Sequence, residues 1–406
     1  MTTTSDLVIH NARVMTCDPA RAGLGIIDHG AIAITGGHVA WVGVDGDKPA
    51  AARTIDARGA LVTPGLVDCH THAIFAGDRA GEFGMRAAGK TYLEIAAAGG
   101  GINATLGPTR TATDDELVAL TTMRLAAARE TGTTTIEIKS GYDLTVAGEL
   151  RLLRCVARVA AAGPTRVVPT VLAHLVPPER RGDRDAFVRE LCDELVPAVA
   201  RERLATTIDV YCDEGAFTLD ETRAIYAAAD RVGLAIRGHV GQFKDLGAAE
   251  LLAQHRALSG DHLEQVSDAG IAALASAGIV AVMLPGACVQ LRLPVPPIER
   301  LRQAGVAMAI ASDLNPGSSF SSDLPLQMWL ATTHYGMSVD EAWLGVTRHA
   351  AKALGAPRAG ELTAGAYADL IVWRCEDPAT VPYRYGASRS SIEQIYIAGQ
   401  PITASG

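Results

Sequence analysis

The stretch VDCHTHAIFAGDR (residues 67–79) decides how this chain of 406 residues is read. It continues the apolar run LVTPGL (residues 61–66), so it reads as the end of a strand. His70 and His72 stand at i and i+2, and alternate residues of a strand point to the same face. Both imidazoles can therefore grip one cation if that strand end opens on a cavity. A lone pair of this kind is as readily structural as metal-binding, so its weight depends on what the other strand ends carry.

Outward from this stretch, apolar runs of strand length recur with helical stretches between them. The strands are LVDCHTH, TTTIEIKS, TRVVPTVLAH, TIDVYCDE, LAIRGH, ALSGDH, IVAVMLPG and VAMAIASD. The helices include DDELVALTTMRLAAARE, VAGELRLLRCVARVAAA, RDAFVRELCDELVPAVARE, LDETRAIYAAADRV and SDAGIAALASAG. Eight strands alternating with helices predict an α/β chain folded as a (β/α)8 TIM-like barrel. Short strand-like runs separated by turn residues fill both ends of the chain. The expected division is a small β-sandwich domain built from residues 1–60 and 356–406, with the barrel over 61–355.

Functional side chains of such barrels gather where the strands end and the βα loops begin. The predicted strands end in His70 and His72, Lys139, His174, Glu214, His239, His262, Pro285 and Asp313. Of eleven histidines, five lie at these ends, a concentration that random placement would rarely give. The first and last strands meet when a barrel closes, so Asp313 is expected beside the His pair, with His239 reaching across. Three imidazoles and a carboxylate suit Zn²⁺, with Fe²⁺ the alternative. In NPGSS, Asn315, the Gly317 backbone and the Ser318 hydroxyl suggest a donor-rich pocket for an anion. Gly99, Gly100 and Gly101 lack the phosphate-loop pattern and read as a loop over the barrel mouth, with Tyr92 a ligand contact. Arg79 offers a planar fork suited to a carboxylate. It would equally pair with Asp78 or Glu82.

Several stretches resemble the amidohydrolase superfamily: TPGLVDCHTH, HTHAIFAGDRAGEF, AAAGGGINAT, EIKSGYDL, LAHLVPPE, DVYCDEGAF, SGDHLE, LPGA, ASDLNPGSS and GELTAGAYADLIVW. More narrowly, they resemble the members that hydrolyse 4-imidazolone-5-propanoate to N-formimidoyl-L-glutamate in histidine degradation. The resemblance implies that Arg79, Tyr142 and His174 bind the substrate and its carboxylate arm. It makes Gln242 a contact to the ring, and Asp313 and His262 the groups that move protons and orient water. It also implies a homodimer. Many relatives bridge two metals through a carboxylated lysine on the fourth strand. Here that strand ends in Cys212, Asp213 and Glu214, and Lys139 lies on the second, so one metal and an ion-paired Lys139 are expected. Relatives read His-Ala-Asp after the fifth strand, whereas this chain has His239, Val240 and Gly241. A looser hold on His239 is the expectation. Two other functions fit the same metal: a deaminase of an aromatic or purine-like ring, and a metal-binding scaffold without catalysis.

Composition narrows the classes further. Net charge is −9 and no extended basic cluster occurs, which argues against nucleic-acid binding. The seven cysteines are scattered and form no CxxC, so neither a disulfide framework nor a structural zinc site is expected. No apolar run suits a membrane span, and the first residues lack a secretory pattern, so a cytoplasmic location is expected.

Overall fold

The computed structural model describes residues 4–90, 94 and 100–402. The chain begins with β1 (Ser5–Met15), β2 (Ile26–Thr35), β3 (His38–Val44), β4 (Ala51–Asp56) and β5 (Leu61–Pro64). The barrel strands follow: β6 (Leu66–Asp68), β7 (Thr133–Lys139), β8 (Arg166–Ala173), β9 (Thr207–Cys212), β10 (Ala235–Val240), β11 (Ser259–His262), β12 (Val280–Met283) and β13 (Met308–Ile310). The chain then returns to the first sheet as β14 (Leu370–Trp373), β15 (Ile392–Ile397) and β16 (Gln400–Ile402).

β6 to β13 pair in parallel and in sequence order, which is the signature of a singly wound barrel. Closure comes just beyond the last strand. Thr71 bridges Leu314 in parallel, and Asp313 N donates to His70 O at 3.0 Å. Every strand expected from the sequence is present, and the expected helices lie between them. Residues 184–202 contain a wider turn at Leu191–Leu195. Pro197 sits just after that turn; it has no N–H to return to the ladder, which fits a widened turn there.

The terminal strands of the β-sandwich domain form one hydrogen-bonded sheet of eight, in which β1 is long enough to pair with both β4 and β5. Its first half pairs with β4 and its second half with β5. β5 pairs in turn with β14, so the two ends of the chain share one sheet. Leu61–Pro64 therefore belongs to the sandwich, and the boundary expected at residue 61 moves to the turn at Gly65. Those four residues are all buried, so composition alone could not separate them from a barrel strand.

The two domains are joined by specific contacts. The Arg166 guanidinium lies 3.6 Å over the Tyr367 ring and bonds Asp369 at 2.6 Å. Buried Trp373, fixed by donating its indole N–H to Thr63 of the same sheet, packs edge-on against Trp343 outside it. Among the described residues no helix is long and apolar enough to cross a membrane.

Gly360 marks the tightest point on the return path. Its φ is +73°, and an added Cβ would lie 2.5 Å from the Thr347 carbonyl carbon. Both the left-handed backbone and the close approach require glycine. Gly360→Ala is expected to cost about 2–3 kcal/mol of stability, read as a lowered midpoint of urea unfolding.

Candidate active site

The barrel interior is unusually polar. On β7, Glu137 and Lys139 share the inward face at i and i+2, and on β10 so do Arg237 and His239. Lys139 Nζ lies 2.8 Å from Glu137 and 2.7 Å from Asp209, as an ion-paired lysine should. Arg237 bonds Glu137, and its Nη2 lies 3.1 Å from Asp261. All five charged side chains are fully buried. Charges so far from water persist only when paired, and these are paired several ways.

This layer fixes the histidines above it. His70 Nδ1 donates to Asp261 Oδ2 at 2.6 Å, and His239 Nδ1 donates to Asp209 at 3.0 Å. A carboxylate on Nδ1 fixes the tautomer and leaves Nε2 as a lone-pair donor. Burial, then the Lys139 charge, holds the His70 pKa well below the usual histidine range. Burial brings His239 down to about 3 despite Asp209. Asp209 is pushed up by burial, yet His239 and Lys139 hold it well below the carboxylate range. Both histidines are therefore neutral, the form a metal needs. The looser hold expected on His239 is not found. Its carboxylate comes from Asp209 on β9, not from the position after Val240.

Four ligand atoms converge. His70 Nε2 and His72 Nε2 lie 3.5 and 3.4 Å from Asp313 Oδ1, and His239 Nε2 lies 3.4 Å from His72 Nε2. Ligands about 2.1 Å from a tetrahedral ion stand roughly 3.4 Å apart. His70 Nε2 is buried with no hydrogen-bond partner, a costly state for a polar atom without an ion. The residues thus fit a divalent metal. His262 also comes close: with His70 and His239 it forms a second group of converging donors. Asp313 (φ +50°) and His262 (φ +80°) both adopt the left-handed backbone that non-glycine residues avoid.

A cavity of about 870 Å³ rises from this floor. His72, Arg79, Tyr142, His174, His239, Gln242, His262, Asp313, Asn315, Gly317 and Ser318 all line it, with Gly100 and Gly101. Tyr92 and Gly99 lie outside the described residues. His174 donates from Nδ1 to Gly141 O at 2.9 Å, and burial lowers its pKa to about 4. The Tyr211 hydroxyl donates to Gln242 Oε1 at 2.8 Å, which leaves the Gln242 amide N–H₂ for a ligand. Asp213 accepts from the backbone of Gln242, Phe243 and Lys244 and so sets that turn. Arg79 does pair with Glu82, at 2.7 Å, but inside the cavity wall and not on the surface. Its Nη1 lies over Gly317, where a Cβ would come within 2.1 Å.

The NPGSS turn corrects one expectation. Gly317 N–H and Ser318 N–H both donate to Asn315 Oδ1, at 2.8 and 2.7 Å. Asn315 Nδ2 donates to Asp313 O and Ser318 Oγ. Asn315 and the Gly317 backbone therefore shape the turn and brace Asp313; their donors do not face an anion. Sequence reasoning also missed Asp209, Asp261, Glu137, Arg237, Asp213, Tyr211 and two further arginines of the wall, Arg86 and Arg181. The i, i−2 alternation pointed to Glu137 and Arg237.

The fold and its metal-ready mouth define a class, and the comparisons agree. The chain belongs to the amidohydrolase family, whose sequence model matches residues 61–402. A zinc-bound adenosine deaminase from Xanthomonas campestris superposes with a TM-score of 0.72 at 20% identity, covering 99% of this chain and 93% of that one. A zinc complex of atrazine chlorohydrolase from Arthrobacter aurescens gives 0.74 at 18%, covering 98% and 95%. At these identities the likeness is one of fold. Sequence relatives are more specific. Imidazolonepropionase from Anaeromyxobacter dehalogenans is 45% identical over 397 residues, 96% of this chain and 94% of the relative. That of Acidiphilium cryptum is 47% identical over 373 residues, covering 91% and 92%. Within the amidohydrolases, the chain belongs with the imidazolonepropionases. It is a metal-dependent hydrolase of C–N bonds.

Stability of the metal-free protein should depend on pH through these histidines. His239 and His174 have folded pKa values below the unfolded value of about 6.5. The unfolded chain therefore binds more protons in acid, and their contribution is present above pH 6.5 and lost as pH falls toward 4 and 3. Thermal unfolding of chelator-treated protein is expected to show a Tm that drops across this window. His174→Asn should flatten part of the drop.

Proposed function

We propose that this protein hydrolyses the cyclic amide of 4-imidazolone-5-propanoate to N-formimidoyl-L-glutamate, with one divalent ion, Zn²⁺, held by His70, His72, His239 and Asp313. The observation that carries the reading is the cluster of His70, His72 and Asp313, with His239 Nε2 3.4 Å from His72 Nε2, on the floor of a cavity whose wall contains Arg79. A Zn²⁺ ion there would polarise a carbonyl and lower the pKa of a bound water toward neutrality. A single ion is supported by Lys139. Its ammonium is ion-paired with Glu137 and Asp209, and a negative carbamate in its place would face both carboxylates.

The protein groups divide the remaining work. Arg79 presents its guanidinium to the propionate arm, with the Tyr142 hydroxyl and His174 beside it. Gln242, oriented by Tyr211, donates to the ring. This holds the ring carbonyl over the floor, so the attacking water needs no search for its target. Asp313 takes a proton from that water as oxygen bonds to the carbonyl carbon. The C–N bond breaks, and the proton passes to the departing ring nitrogen. The carbonyl carbon, now bearing the oxygen of the water, becomes the new carboxylate. Asp313 starts this step as the carboxylate, because its contacts with His72 and His262 hold its pKa below the usual range despite burial. His262 accepts a hydrogen bond from the attacking water and orients it.

Freshly prepared imidazolone propionate is expected to lose its ultraviolet absorption with the metal-loaded enzyme and not after chelation. N-formimidoyl-L-glutamate should appear in equal amount; release of ammonia in its place would sink the reading in favour of a deaminase. Arg79→Gln should raise KM by roughly 10–100-fold, the worth of a charged hydrogen bond, with a smaller change in kcat.

A further inference from the structure

Glu264 is used by nothing described so far. Its side chain is fully buried, and neither carboxylate oxygen has a hydrogen-bond partner within normal distance. Its ion-pair partner among the described residues is His262 Nδ1, 3.6 Å from Oε1, and that nitrogen too lacks a hydrogen-bond partner. A buried carboxylate with so little compensation costs several kcal/mol by desolvation alone. The backbone that brings it there is costly as well. His262 and Leu263 have φ values of +80° and +68°, two consecutive left-handed residues with side chains. This turn is bolted to the end of β10: Leu263 N donates to Val240 O at 3.1 Å and Gln265 N to Gly241 O at 2.8 Å. Strain and desolvation together buy one thing, a carboxylate facing the inner nitrogen of the His262 ring.

We infer that Glu264 is the positioning residue for His262: its carboxylate faces Nδ1, favours the proton there, and so turns the Nε2 lone pair toward His70, His239 and the attacking water. The device repeats the one beneath His70 and His239, where Asp261 and Asp209 grip Nδ1. Glu264 therefore acts through His262 and touches neither metal nor substrate. In the hydrolysis proposed above, on which this inference rests, the other nitrogen is then the one whose lone pair meets the attacking water. An imidazole free to rotate or change tautomer would present the wrong atom in part of the population.

The test uses full-length, metal-loaded protein labelled with ¹⁵N-histidine. The His262 ring signals, identified by their loss in His262→Asn, are expected to report a protonated Nδ1 and a different exchange behaviour in Glu264→Leu. Glu264→Leu should lower kcat about 10–100-fold, the usual effect of removing a partner behind a site histidine, with KM and bound metal within about two-fold of wild type. Glu264→Gln, which can still accept from Nδ1–H, should recover part of the loss. A wild-type His262 protonated on Nε2 alone overturns the inference, whatever the variants do. So does an unchanged kcat in Glu264→Leu, or a fall in kcat that merely follows loss of metal. If the wild type does not turn over imidazolone propionate, the proposed reaction fails, while the ring signals still decide the role of Glu264.

Discussion

A carboxylate on the inner nitrogen of an imidazole is the interaction on which this site depends. Asp261 holds His70 and Asp209 holds His239, and each carboxylate is tied to a buried cation, Arg237 or Lys139. Removing any member leaves a charge with no water to receive it, so the layer tolerates few arrangements. That rigidity reaches the surface of the cavity as fixed lone pairs. The left-handed backbone at Asp313 is supported by the same logic, since the His70 carbonyl and the braced NPGSS turn leave the residue little room to relax.

The barrel was legible because eight apolar runs kept strand length and ended in chemically distinct residues. His70, His72, His239 and Asp313 could be placed together from strand order alone, for a closed barrel makes its first and last strands neighbours. The layer below is not marked by strand ends, because its residues lie within the strands. Glu137 and Arg237 sit two positions earlier and share a face with Lys139 and His239, so alternation carried their signal. Asp261 and His262 did not follow that rule. They are adjacent, yet both serve the site, because the positive φ at His262 turns its ring toward the barrel mouth. No spacing in the sequence announces such a turn at a histidine.

Two other differences have equally local causes. Leu61–Pro64 reads as barrel because a strand buried in a sandwich and one buried in a barrel have the same composition. Asn315 looked like a donor to ligand because short polar residues near glycine often are. Its side chain instead closes an Asx-type turn on the backbone of Gly317 and Ser318, a choice that depends on loop length and not on residue type. The exchange of an acid for Gly241 leaves the hold on His239 intact for a related reason. Its ring is supported by Asp209 from the neighbouring strand, across the sheet rather than along the chain.

The shared terminal sheet ties the timing of folding to the end of synthesis. β5 runs straight into the first barrel strand, and its outer edge is completed only by β14, some three hundred residues later along the chain. Until those residues leave the ribosome, β5 presents an apolar strand with open backbone groups, the kind of edge that recruits other chains. A pairing of such long sequence separation is also slow to find. Nascent chains stalled before β14 would thus be the species most in need of a chaperone, even with every catalytic residue already made.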